Sequence, residues 1–418
     1  MFPPIIKPRI FHGWYILFVL VLTSLIGAGN SQVFFGAMLL PITDDLNWSR
    51  SAVAGAVSLG TFVGGIAQPI SGALADRYGT RVITSLGILL LGLAFFALAS
   101  ISEVWHLFVS YTIARAITMA TISGVPPRTA AVNWFRRKRG RALGIVSTAP
   151  ALGSAITAIF ARSLTGSGVD WRSVFLIFGV ASLLMLPLTL GILRRKPEDL
   201  GLLPDGAKQE DFDSQVSEDL RVREPAFSLN QARKTTAFWL ITFGMSASAF
   251  STGLVSFHMV AFFVDNGLSE TVGVISLSTF AFSGALSAIL WGFLSEKFSE
   301  KLLAIIATGS GTLITLLFLL SSGNVLAVAL SALFGFALRG EGALLNIIIA
   351  QYFGRISFGA ISGFTAPFQM LALSLGPITG SWLFEFNDSW YPVFALGSGV
   401  LATATFGLVI MRRPVFLN

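Results

Sequence analysis

Four ionisable residues stand inside long apolar stretches of this chain: Arg115, Arg128, Arg339 and Glu341. A charge in such surroundings faces a cavity or a partner. The Arg339 guanidinium has the planar fork that grips a carboxylate through two parallel hydrogen bonds; the bland reading is that it satisfies helix-end carbonyls or a neighbouring acid. Glu341 has the chemistry to take up and release a proton, or to lock packing by accepting hydrogen bonds from another helix. Residues i and i+2 do not share a helix face, so Glu341 is expected to point away from Arg339. Arg115 reads as a cavity-lining cation or a structural one, and Arg128 as a snorkelling or gating group. Neutral polar residues add Asn30 and Gln32, Ser251 and His258, Asn346 and Gln369. For His258, the reading as a substrate contact competes with a structural hydrogen bond near a helix end.

Other chemistries find no material. Cysteine is absent and the three histidines, His12, His106 and His258, are scattered. No metal site or cofactor is expected. The sequence shows no Gly-x-Ser-x-Gly elbow, no His-Glu-x-x-His helix and no Walker loop. An enzyme is therefore not expected, and any pumping must run on an ion gradient.

The elements that position these residues follow from composition. Only 12% of the 418 residues are charged and 54% are apolar, against roughly 25% charged in soluble proteins. Mean hydropathy is +0.77. Spanning a bilayer takes about 20 apolar residues. Twelve stretches qualify: 14–40, 52–75, 82–101, 105–131, 142–162 and 173–193, then 237–263, 271–294, 302–321, 324–350, 356–384 and 390–411. The expected fold is an all-α membrane protein with two six-helix bundles. Its divisions are 1–193, a polar linker at 194–236, and 237–418. Arg339 lies 14 residues before Phe353, roughly 21 Å up its helix at 1.5 Å per residue, near the membrane midplane.

With the N-terminus cytoplasmic, 22 of the 28 Lys and Arg fall on cytoplasmic segments, as the positive-inside rule requires. Both termini and the linker are thus expected in the cytoplasm, in a multi-pass protein of the plasma (inner) membrane. The first span is too long for a signal-peptide core and is expected to stay as an uncleaved anchor. The net charge of +7 reads as a topology signal, and nucleic acid is not an expected partner. The basic run Arg136 to Arg139 reads as an anchor or a contact with anionic membrane lipid.

The halves repeat at about 220 residues. Asn133-Trp134-Phe135 matches Gln351-Tyr352-Phe353, Ala149-Pro150 matches Ala366-Pro367, and Gly72, Asp76 and Arg77 match Gly292, Glu296 and Lys297. Gly72, Leu74, Asp76, Arg77, Gly79 and Arg81 fill every fixed position of G-x-L-x-D-R-x-G-x-R between spans 2 and 3. This loop resembles that of the major facilitator superfamily. Gly13-Trp14, Asn133 to Gly144, Asp170-Trp171-Arg172, Asp265 to Ser269 and Tyr352 to Gly359 resemble its monocarboxylate transporter and oxalate/formate antiporter branch. The branch's Lys in helix 1 and Asp/Arg pair in helix 8 have no counterparts here. Met119 stands where the superfamily's second motif, in helix 4 after Arg115, has Gly.

The resemblance implies alternating access around a cavity lined by helices 1, 4, 7 and 10, which makes Arg339, Arg115, Asn30 and His258 substrate contacts and Glu341 the proton carrier. It implies a gating role for Gly72, Asp76, Arg77, Gly79 and Arg81, with Asp76 paired to basic groups when the inner gate is shut. The expected function is proton-coupled transport of a small organic anion, with a monocarboxylate as cargo, by a monomer. The alternative is a proton-driven exporter of drugs or hydrophobic metabolites.

Overall fold

The computed structural model describes residues 11–206, 226–321 and 323–414. Twelve helices among the described residues are long and apolar enough to cross a membrane. They are α1 (His12–Leu46), α2 (Arg50–Tyr78), α3 (Thr80–Ala99), α4 (Val104–Trp134), α5 (Arg139–Gly166), α6 (Trp171–Ile192), α7 (Thr236–Asp265), α8 (Glu270–Leu294), α9 (Glu300–Leu320), α10 (Asn324–Phe353), α11 (Phe358–Asn387) and α12 (Tyr391–Ile410). Lipid offers no hydrogen bonds, so each span satisfies its backbone internally. Hydroxyl caps from Thr235, Ser269 and Ser299 start α7, α8 and α9.

Two spans are interrupted near mid-depth. In α1 the helix tightens at Ala28–Asn30 and restarts after Ser31, whose side chain accepts from the Phe34 N–H at 3.2 Å. In α4 a π-helical turn occupies Thr118–Ile122 and the chain bends at Gly124. Pro126 and Pro127 cause this break, because neither has an N–H to offer the preceding turn. Hydroxyls take over the stranded carbonyls: Thr84 donates to Thr121 O at 3.3 Å and Ser24 to Ile122 O at 3.4 Å.

The apolar packing is divided unevenly along the molecule. At the end carrying the linker, one cluster joins both halves, with Leu17, Trp134, Phe135 and Leu143 against Trp291, Leu344, Ile348 and Phe358. At the far end there are two separate clusters. Phe34, Phe95, Tyr111 and Phe175 belong to one half, and Phe262, Phe318, Phe334 and Phe394 to the other. Apolar packing between the halves is thus continuous at the linker end and divided between them at the far end.

Candidate functional site

Arg339 lies on α10 between buried Leu338 and buried Gly340, yet its own side chain keeps accessible surface. That combination marks a group lining a cavity inside the bundle. The cavity, about 200 Å³, is bounded by Ser248 and Thr252 of α7, Arg339, Glu341 and Gly342 of α10, and Gln369 of α11. The Arg339 stem lies on Gly284 of α8, where a Cβ would come within 2.6 Å of its Cγ. Its Cζ stands 5.5 Å from the Phe280 ring centroid. Among the described residues Arg339 has no hydrogen bond and no acidic partner, so a ring face is the only group balancing its charge.

Glu341 is fully buried. Its carboxyl accepts from Thr308 of α9 at 2.9 Å and from Ser248 of α7. It is held by hydroxyls of two other helices and makes no ion pair with Arg339 among the described residues. Ser248 touches both this carboxyl and the cavity. Asn346 ties α10 to α11 by accepting from Ser362 at 2.8 Å.

A second polar group surrounds Arg115. Tyr111, Arg115 and Thr118 are spaced to share one face of α4. The Tyr111 hydroxyl donates to Asn30 O at 3.1 Å, and Asn30 Nδ2 donates to Thr118 Oγ1 at 3.0 Å. Among the described residues, Arg115 Nε and Asn30 Oδ1 are both buried without a partner. A donor and an acceptor left open beside the π turn of α4 are what a water or a ligand would complete. His258 has a partner: its Nε2 donates to Pro377 O at 3.1 Å, and its ring packs on Trp390. This joins α7 to α11 away from the cavity around Arg339.

The residues expected to gate lie at the linker end. Asp76 was expected to meet basic side chains. Its carboxylate instead accepts the Gly359 N–H at 2.9 Å and the Ala360 N–H at 2.7 Å, the first free donors of α11. A helix start offers unpaired N–H groups and a positive dipole end, so it serves an acid as a cation does. The basic side chain near it, Arg195, makes its hydrogen bond to the Asp76 main-chain carbonyl, at 2.5 Å, and acts on the carboxylate through its charge alone. Gly79 holds φ +84° against the Arg195 stem, while Arg77 and Arg81 are exposed. Gly72 and Gly359 meet backbone to backbone, each filling the space a Cβ on the other would need.

The second half repeats this arrangement of an acid on a helix start beside a glycine contact, which the sequence reading missed. Glu296 Oε1 accepts the Arg141 N–H at 3.3 Å and its Oε2 accepts Arg141 Nε at 2.7 Å, at the start of α5. Gly140 and Gly292 abut as Gly72 and Gly359 do. The alignment of Glu296 with Asp76 was the available signal. A further repeated pair was also missed at the far end: Trp171 Nε1 donates to Asp45 at 3.3 Å and Trp390 Nε1 to Asp265 at 2.9 Å. In the first half Arg172 adds an ion pair to Asp45 at 2.6 Å.

Comparison with known proteins agrees with this architecture. The family model described as Major Facilitator Superfamily matches residues 20–366. The chain is 25% identical over 419 aligned positions to the oxalate:formate antiporter of Oxalobacter formigenes, covering 97% of this chain and 93% of that one. It is also 25% identical, over 373 positions, to the multi-drug resistance efflux pump PmrA of Streptococcus pneumoniae, covering 87% and 83%. The crystal structure of the human organic anion transporter MFSD10 superposes with a TM-score of 0.72 at 12% identity, covering 95% and 99%, a likeness of fold alone.

Proposed function

The chain belongs to the major facilitator superfamily, and on that premise we propose that it is a secondary active transporter of a small organic anion, with a monocarboxylate as cargo, coupled to protons. The observation that carries it is Arg339: a guanidinium within a span, open to a cavity, with no ion pair among the described residues and with the Glu341 carboxyl of the same cavity held by hydroxyls. A carboxylate entering the cavity would supply the missing counter-charge through a two-pronged hydrogen bond. Arg115 and Asn30, each with an open polar atom, are its contacts in the other half. His258 is left out of the contact set, because its Nε2 is bonded to Pro377, its ring packs on Trp390 and it does not line the cavity around Arg339. Relatedness to an oxalate:formate antiporter supports an anionic cargo.

Glu341 is the proton carrier in this proposal. Its hydroxyl cage can hold the acid protonated or ionised, and Ser248 links it to the cavity wall. One anion moving with one proton carries no net charge. The rocking bodies are 1–193 and 237–418, joined by 194–236. With the linker and termini in the cytoplasm, the closed linker end makes this an outward-facing state. The protein sits in the plasma membrane and acts as a monomer.

The test is uptake of oxalate, formate and lactate into proteoliposomes under an imposed pH gradient, for the parent and for Arg339→Gln. The expected result is uptake by the parent and none by the variant. An exporter of neutral hydrophobic compounds, the alternative that kinship to a multi-drug resistance efflux pump keeps in view, would be nearly indifferent to this change.

A further inference from the structure

The segment Pro197–Gly206 follows α6 and lies across the linker end. Its Asp205 carboxylate accepts three consecutive N–H groups from the α4–α5 connection: Arg136 at 2.9 Å, Arg137 at 2.7 Å and Lys138 at 3.2 Å. Asp205 adopts φ +60° to do so, a left-handed conformation that a non-glycine residue keeps only where its surroundings enforce it. Trp134 Nε1 donates to Arg194 O at 3.2 Å, and the Phe11 ring covers Gly206. The segment is thereby fastened to the first half.

From that anchorage it reaches the second half. Glu198 Oε1 accepts Arg355 Nη2 at 2.7 Å, and Arg355 belongs to the α10–α11 connection. Arg355 Nη1 also donates to Asn133 O, at the end of α4, at 3.4 Å. These bonds are separate from the α2–α11 and α5–α8 contacts of the gate. Separating the halves at this end carries Arg355 away from both acceptors.

We propose that residues 197–206 form a strap across the linker end, locked by the Glu198–Arg355 pair, which must release before that end opens. The linker is then a working part of the conformational switch. Asp205 keeps the strap seated, and Arg355 is the catch. Both members of the pair retain some exposure, at 34% and 29%, so salt weakens the catch.

A single cysteine reporter tests this without a substrate, because the chain has none of its own. Val146→Cys places a thiol in the cluster that joins the halves at the linker end. The readout is its maleimide labelling rate in the purified full-length protein. Glu198→Gln and Arg355→Gln are each expected to raise the rate about two- to fivefold, the range of a partly exposed ion pair. The charge-reversed double variant E198R/R355E should return towards the parent rate, and Asp199→Asn, beside the pair, should match it. Raised salt should accelerate labelling of the parent and not of Glu198→Gln. Equal rates in the parent and both single variants would overturn the proposal. So would a double variant no slower than the singles, because nonspecific loosening would not be repaired by swapping the charges.

Discussion

The seat of Arg339 offers a quantitative test of the site. Gly284 lies beneath the arginine stem, and an alanine Cβ there would stand 2.6 Å from Cγ and 2.8 Å from Cβ of Arg339. Carbon atoms rest about 3.5–4.0 Å apart, so roughly 1 Å must be found. Rotating the guanidinium does not supply it, because the Arg339 Cβ is fixed to the α10 backbone. The helices α8 and α10 must part, and they are tightly matched: Gly335 abuts the Phe280 carbonyl and Gly340 abuts Trp291. Overpacking of this kind costs about 1–3 kcal/mol. Felt wholly at the anion, that is a 5- to 150-fold rise in KM, at about 1.4 kcal/mol per tenfold. Gly284→Ala should therefore raise the KM for carboxylate uptake into proteoliposomes with little change in Vmax. Gly36→Ala, where nothing lies within 4 Å, should behave as the parent. A KM within twofold of the parent, alongside loss of uptake in Arg339→Gln, would refute the positional reasoning. Indifference of both variants would remove Arg339 from the site altogether.

Further outcomes are expected at the other polar groups. Glu341→Gln should retain exchange of labelled for unlabelled anion while losing accumulation driven by a pH gradient; retained accumulation would exclude Glu341 as the proton carrier. Asp76→Ala removes two hydrogen bonds to a charged acceptor, each worth about 1.5–3 kcal/mol before water replaces part of the loss. Spin-label distances across the linker end should then report a larger open fraction, and an unchanged distribution would count against the gate. Trp390→Phe deletes one indole donor and should lower the thermal midpoint modestly, by about 0.5–1.5 kcal/mol of stability, with transport kept.

The twelve spans were legible because lipid imposes a length and a composition on every crossing segment. The loop from Gly72 to Arg81 was legible because its glycines and charges recur in fixed order. The polar Asn30 and Gln32 stand at the break of α1, while the π turn of α4 was not read despite Pro126 and Pro127. The partners were harder. Asp76 bonds to main-chain N–H groups of Gly359 and Ala360, and every residue but proline has such a group, so sequence cannot point to them. Ser248 and Thr308, which hold Glu341, are ordinary hydroxyl residues on distant helices. The duplicated Trp171–Asp45 and Trp390–Asp265 bonds could have been found by following the 220-residue offset one step further.

Where Gly72 meets Gly359 and Gly140 meets Gly292, main chain lies on main chain, with the short side chains of Asp76 and Ser295 at its edge. Surfaces of bare main chain come apart without any rotamer having to change, and they reseat the same way. Such a seam works like two smooth plates held at their rims. Opening should then be paced by release of the rim acids Asp76 and Glu296 and of the Glu198–Arg355 pair, and by water entering the apolar cluster that joins the halves, with little resistance from the glycine contacts themselves.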